Sequence, residues 1–569
     1  MILACADVLS RASMPLGPSL RAARHQTPAR VAWFGLDRAL RTLEKICPAR
    51  LHATVESMLR RRSPSRSALA AWGALPASGR LAPRGTQDHE ERPQWLAPGR
   101  SALAAERLHH LDAWIAHAIR DPVAGRPILA RTLEDHWDRC RPGTGAAWHP
   151  FPTARRTLHL LRFWASLEAQ GGVAAGLDAA LVRHTRAAAG LLPLRLERHS
   201  RGNHLLTELC ALACSARVWG VPSADWSLDA LCSASRAQFL GGGGHLERSP
   251  RYHLDVVGDL IDVLAAWGDA LPPRAAELRG VVARGLGFAG WMVHGDGDVA
   301  LFNDGALGDG PSLEALCAAA RSVGIEPVGG PPEEDGWVCF REEGFVVSHR
   351  GPVRILADVG PVSADEQPAH AHCDILSFEL SDGPRRVVGN RGTQAYSGPE
   401  RAAARGTAAH STVQIDDLEQ AEMFGDFRVG LRASPTLLDA SDCAGGETFA
   451  GRFAWPTAPG NVHERRWSVT DESLVSVVDR VVVDLPERRT RARFHLPGAT
   501  DVTASAKDVE FRVDGNRYLL SSDAPVVAFP APWHPRPGVS RSGWTVEVEP
   551  PAGELERSWT TVLRRAGAP

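Results

Sequence analysis

The sequence predicts an all-α half followed by an all-β half, a helical toroid or bundle joined to a large antiparallel sandwich. Three observations carry this. Apolar residues recur at helical spacing from about residue 101 to 325. Near Trp337 the period changes to two and stays there. The connections are short and marked by Gly and Pro, so successive elements must bury their apolar faces on one another.

The elements follow in order. Residues 1–100 read as an N-terminal extension, with an amphipathic helix over Val31 to Leu59 and a loose linker or arm over 61–100, rich in Arg, Ser, Pro and Gly. The helical domain, 101–330, contains Ala105–Ile119, Ala154–Gln170, Ala175–Ala189, His204–Val218, Asp229–Leu240, Pro250–Ala270 and Pro311–Val323. The sandwich domain, 331–569, contains strand candidates such as Gly344–His349, Val353–Val359, His372–Leu380, Ser411–Ile415, Leu474–Val483 and Gly543–Val548. A cleft between two such halves is the default place for a site.

Composition narrows the function. With 44% apolar and 23% charged residues over 569 positions, the chain reads as globular. A formal charge of -2 argues against nucleic acid or a membrane surface as partner. Only Lys45 and Lys507 are lysines; the arginine excess, with heavy Ala and Gly, reflects a GC-rich bacterial genome more than a polyanion site. The ten cysteines are dispersed without a CxxC and read as small buried hydrophobes of a reduced protein. Met1 to Leu9 lacks the basic n-region and long apolar core of a signal peptide. The cytoplasm is therefore the favoured location, with the periplasm or secretion open if the true start differs.

Five segments carry chemistry. In His370-Ala371-His372-Cys373-Asp374, read as the mouth of a strand, alternate residues share a face, so His370, His372 and Asp374 point one way. Imidazoles there can move protons or bind a metal. Arg201-Gly202-Asn203-His204 opens a helix, with Asn203 suited either to an N-cap or to a substrate carboxylate. A run of four glycines leads through His245, Glu247 and Arg248 to Ser249-Pro250, an N-cap and N1 pair, and puts Tyr252 in the first turn of a helix. With 3 Tyr against 16 Phe, a hydroxyl placed there is wanted for itself. Phe302-Asn303-Asp304-Gly305 is a turn or part of the cleft wall. Ala409-His410-Ser411-Thr412 supplies a third histidine just before a strand.

Together these segments, with Trp148-His149-Pro150-Phe151-Pro152, Asn390-Arg391-Gly392-Thr393 and Phe424-Gly425-Asp426-Phe427-Arg428, resemble the heparinase II/III family of polysaccharide lyases and the related alginate-lyase-like proteins. The resemblance runs from about Trp148 to the C-terminus. It implies an (α/α) toroid followed by an antiparallel β-sandwich. It also implies β-elimination on an acidic, uronate-containing polysaccharide or oligosaccharide such as a glycosaminoglycan. By that carry-over Asn203, with His204, neutralises the uronate carboxylate, and Tyr252 and His370 serve as acid and base. His372 and His410 correspond to ligands of a structural zinc, with Asn390 at the third position, where some members carry an Asp; Asp374 is a substitute. Glu208, His245, Glu247, Arg248, Asn303 and Arg405 are candidate substrate-binding residues within or beside the same segments. No organic cofactor is implied.

The chemistry wants these groups. The C5 proton lies alpha to a carboxylate and is weakly acidic until neutral donors stabilise the developing dianion. A tyrosine, with an ordinary pKa near ~10, acts as a base only if that value is depressed, whereas a histidine titrates near the working range. Two other classes remain open. One is a toroid glycoside hydrolase using a carboxylate pair drawn from Glu247, Asp255 and Asp304. The other is a non-catalytic glycan-binding or assembly protein on the same scaffold.

Overall fold

The computed structural model describes residues 62–74, 93–95, 102–220, 224–332, 335–443, 446–470 and 473–567. The expected helix over Val31 to Leu59 lies outside the described residues, as does most of the predicted 61–100 arm. Part of that arm is helical: α1 (Arg66–Gly73) is capped by the Ser65 side chain and buries Leu69 and Trp72. It docks so closely that a Cβ on Gly73 would fall 1.8 Å from the Ala165 carbonyl oxygen.

The helical half continues with α2 (Ala102–Leu108), α3 (Asp112–Arg120), α4 (Pro122–Arg139), α5 (Pro150–Ala169), α6 (Ala175–Arg195), α7 (Asn203–Trp219), α8 (Ala224–Gln238), α9 (Pro250–Trp267), α10 (Glu277–Trp291) and α11 (Leu313–Ser322). Leu111, at φ 65°, splits the single helix expected over Ala105–Ile119 into α2 and α3. The sequence reading misses α4 and α10. The first starts on an Asp121 cap with Pro122 at N1 but carries Pro127 inside. The second holds four glycines, which obscure its period; a Cβ at Gly287 would lie 1.9 Å from the Val328 carbonyl oxygen. The apolar stripes merge into one core around Trp148, Trp164, Leu209, Leu260 and Leu286.

The named strands of the β half pair antiparallel. A five-stranded sheet runs in chain order through Gly336–Phe340, Phe345–Arg350, Val353–Asp358, Phe378–Asp382 and Arg385–Val388. An eight-stranded sheet extends from Thr500–Ala504 to Thr436–Cys443, and a four-stranded sheet contains Val413–Ile415 and Thr490–Pro497. Alternation of buried and half-exposed residues, as along Ala458–Thr470, is what an inward and an outward face require. Their inner faces close over Phe378, Phe449, Trp467, Phe494 and Trp559. A helix, α12 (Gly398–Arg405), interrupts this half.

The run expected as a strand from His372 differs. The strand starts at Phe378, and 368–377 is irregular, with Leu376 at φ 56°. Backbone donors here bond outside any ladder: Cys373 N–H to the Arg405 carbonyl and Leu376 N–H to that of Asp358. The histidine motif is therefore a buried loop at the junction of the two halves.

Candidate active site

The junction is organised by one carboxylate. Asp304 is fully buried and sits between the two predicted histidines. His370 Nδ1 lies 2.8 Å from its Oδ2, and His372 Nε2 lies 3.0 Å from its Oδ1. Arg401, on α12, clamps the same carboxylate through both terminal nitrogens and reaches the Ala369 carbonyl at 3.0 Å. Burial opposes a charge on Asp304, yet the Arg401 guanidinium and the two imidazole bonds hold its pKa well below the carboxylate range. An ionised carboxylate only accepts, so His370 donates to it from Nδ1. Its Nε2 is on the side of Glu247, whose Oε2 is 3.8 Å away.

Tyr252 packs on His370 with ring centroids 4.1 Å apart. Its helix is set by Ser249, whose Oγ accepts the Tyr252 N–H and donates to the Asp304 carbonyl. The Tyr252 hydroxyl is hydrogen-bonded to that of Tyr396 at 2.7 Å. Two of the three tyrosines in the chain thus meet oxygen to oxygen. Burial, then the Tyr396 hydroxyl and Asp304, raise the Tyr252 pKa well above 10, so the phenol stays protonated at neutral pH. The geometry does not supply the depressed pKa that a tyrosine base needs.

Asn203 is the first residue of α7; Gly202 takes the cap position that the sequence offered to Asn203. Its N–H donates to Glu247 Oε1 at 3.1 Å, while both atoms of its buried amide lack any partner. A Cβ on Gly202 would lie 2.1 Å from Glu247 Oε1, so only glycine lets the carboxylate approach. Asn203, Glu247 and His370 therefore form a continuous wall. His204 stacks on Phe151 at 3.8 Å and meets Glu197 Oε2 at 2.9 Å through Nδ1. Burial works against its charge, but Glu197 raises its pKa, so it acts more as a cation than as a neutral donor.

Several candidates are structural. Glu208 is buried and accepts the Glu197 N–H at 2.7 Å, which positions that glutamate and removes Glu208 from the cleft. His245 is buried against Gln238 Oε1 at 2.9 Å and holds the glycine turn. Arg248 spans the two halves, donating to the carbonyls of Pro361 and Glu342. Asn303, at φ 55°, is fully committed: its N–H to Asp374 Oδ2, its amide to the Arg248 carbonyl, and its Oδ1 to the His372 N–H. Arg405 is buried and donates to the carbonyls of Ala371 and Asp426. These five hold the wall from behind and are corrected from substrate ligands to supports. Glu247 stays in the wall.

The residues offered for zinc do not fit a structural site. His372 and His410 do meet, ring centroids 5.3 Å apart, and His372 Nδ1 and both His410 ring nitrogens lack partners. Asn390 does not join them. Its amide donates to Glu379 Oε1 and the Leu301 carbonyl, and its Oδ1 accepts the Ser411 N–H. Asp374 accepts from Asn303 instead of substituting. Two imidazoles without an anionic third donor fall short of a structural zinc set.

The sequence reading missed Tyr396 and Arg401, and read Asp304 as part of a turn or of the cleft wall, or as a hydrolase carboxylate. The scarcity argument that singled out Tyr252 applies equally to Tyr396. Arg401 gave no signal, because arginine is common throughout this chain.

Comparison with known proteins agrees with this architecture. Residues 336–568 match the family model described as Heparinase II/III-like, C-terminal. FtsZ-localized protein C of Caulobacter vibrioides is 26% identical over 350 residues, which is 59% of this chain and 56% of that protein, so the match spans little more than half its length. A crystal structure of heparinase III superposes with a TM-score of 0.68 at 15% identity, covering 90% of this chain and 86% of that one. A heparan sulfate lyase of Pedobacter heparinus gives a TM-score of 0.54 at 14% identity, with 91% and 88% covered. The toroid-plus-sandwich fold is therefore shared along nearly the whole chain, and its sandwich half, residues 336–568, is similar to the Heparinase II/III-like C-terminal domain.

Proposed function

We propose that the protein is a polysaccharide lyase that cleaves a uronate-containing polymer or oligomer by β-elimination. One observation carries the reading: an Asp304-oriented His370 stacks on a protonated Tyr252 beside a buried Asn203 amide that has no partner. Asn203 receives the uronate carboxylate and stabilises the charge that grows there. His370 Nε2 takes the C5 proton. The electron pair becomes the C4–C5 double bond and the C4–O4 bond breaks. The Tyr252 hydroxyl, held by Tyr396, protonates the leaving oxygen, and the proton taken up by His370 returns to Tyr252 to reset the site. Atoms balance without water or a cofactor.

The hydrolase alternative lacks its carboxylate pair. Asp304 is locked by Arg401, and Asp255 is held by Arg251 within α9. The Caulobacter relative is named for its localisation with FtsZ and not for a reaction, which keeps a second reading in view, a glycan-binding or assembly protein without catalysis. Incubation with a panel of uronate polymers separates the readings. Ultraviolet absorbance from a 4,5-unsaturated uronate, lost in Tyr252→Phe and in His370→Ala, supports the lyase. Reducing ends without absorbance overturn it in favour of a hydrolase, and binding without either product overturns it in favour of the second reading.

A further inference from the structure

A different donor cluster lies in the helical half and uses none of the residues assigned above. His109 follows α2, His136 stands in the last turn of α4, and Cys140 is the C-cap of that helix. The i,i+4 spacing of His136 and Cys140 puts imidazole and thiol on one face. All three side chains are buried. One ligand atom from each lies within 4.8 Å of the others. Zinc bonds of ~2.0–2.3 Å to nitrogen and sulfur put tetrahedral donors roughly 3.3–3.8 Å apart, so side-chain rotations of about 1 Å close the set.

An independent observation points to a ligand. His136 is fully buried, and neither of its ring nitrogens has a hydrogen-bond partner; Nδ1 of His109 has none either. Buried polar atoms are nearly always satisfied, so three orphaned nitrogens facing a thiol call for something to bind. The surroundings are dry and aromatic. Trp95 packs on both imidazoles, at 5.7 Å and 4.8 Å. The Arg156 guanidinium lies over Trp148 and donates to the His109 and Ala147 carbonyls, so it fixes the backbone that carries one donor.

We propose that His109, His136 and Cys140 form a structural site for a zinc-class divalent cation. Two imidazoles and one thiolate select a borderline ion over magnesium or calcium, which take oxygen. The fourth position falls to water or to His184, whose Nδ1 is unpartnered and whose ring lies 5.3 Å from that of His136. Bound there, the ion staples the 102–111 segment to the end of α4.

The test uses the full chain, stripped with a chelator and reloaded with zinc or cobalt. About one metal per chain is expected, with a thiolate-to-cobalt charge-transfer band in the near ultraviolet. Cys140→Ser abolishes the band, His136→Gln weakens binding by at least ~10-fold, and His410→Ala changes neither. X-ray absorption of the zinc-loaded unmutated protein reads the shell without any variant: one sulfur with nitrogens supports the site. A reloaded protein that holds no metal, a shell without sulfur, or a band that survives Cys140→Ser overturns it.

Discussion

Among the described residues, the same three side chains, histidine, aspartate and arginine, are buried together at the junction and again inside the sandwich. At the junction, Asp304 binds His370, His372 and Arg401. Inside the sandwich, Asp479 binds His463 Nε2 at 2.7 Å and Arg465 Nε at 2.7 Å, and Arg465 reaches on to the carbonyls of Leu376 and Ser411. In both, burial opposes the carboxylate's charge and the guanidinium and imidazole overcome it. The difference lies in what the histidine faces next. His463 is wholly buried, edge-on to Phe453 at 5.8 Å. His370 meets a tyrosine pair, Glu247 and an unsatisfied amide. A His–Asp–Arg constellation is thus a structural joint until a reacting partner can reach its free nitrogen.

The largest effect expected separates the two directly. If the protein is the proposed lyase, His370→Ala removes its base and lowers kcat/KM on a cleaved uronate polymer by ~10²–10⁴-fold, with little change in the unfolding midpoint. Tyr252→Phe falls in the same range, and Tyr396→Phe loses less, because it acts through Tyr252. His463→Ala leaves kcat/KM within a few-fold and lowers stability instead. Steady-state absorbance assays run beside urea melts check both; a stable but inactive His463 variant breaks the comparison.

Next comes the carboxylate of the interior joint. Asp479→Ala strands Arg465 and His463 in a dry sheet and costs about 3–5 kcal/mol, the usual penalty for a buried charge left unpaired. Chemical denaturation measures it. A loss below about 1 kcal/mol shows that water or a rotamer change relieves Arg465, and that this joint is not the rigid counterpart of the other.

Acid sharpens the contrast further. Burial keeps His463 below its ordinary pKa and pushes His253 down to about 4. Their folded forms stay neutral while the unfolded chain takes up protons below about 6.5. Stability from His253 is full above about 6.5 and is lost as pH falls from there through about 4, on the order of 1–3 kcal/mol, and His463 contributes with the same sign. Urea midpoints at several values in that window follow the decline, and His253→Gln flattens it. A slope unchanged by that substitution counts against burial as its cause.

How much of this was legible depends on range. The helix carrying Tyr252 was readable because its Ser249–Pro250 start and apolar stripe are local. The change of period near Trp337 marked the β half for the same reason. The HAHCD loop was not, because its backbone bonds go to Asp358 and Arg405, and period two in the side chains imitated a strand. His370 and His372 were rightly singled out, but their shared partner is Asp304, more than sixty residues away in a motif that reads as a turn. Helix α10 was hidden by the glycines that let it pack.

The smallest effect tests the supports behind the wall. Glu208 sits in the most suggestive helix of the sequence, one turn after His204, yet it is buried and its Oε2 accepts the Glu197 N–H. Glu208→Gln keeps an acceptor in place while removing the charge. The expected cost is about 1 kcal/mol of stability, the worth of weakening one charge-assisted bond. KM should stay within about two-fold, because the substitution reaches the substrate only through Glu197 and His204. A large rise in KM with stability intact would return Glu208 to the cleft. It would also show that burial alone does not divide the working residues of this junction from their scaffold.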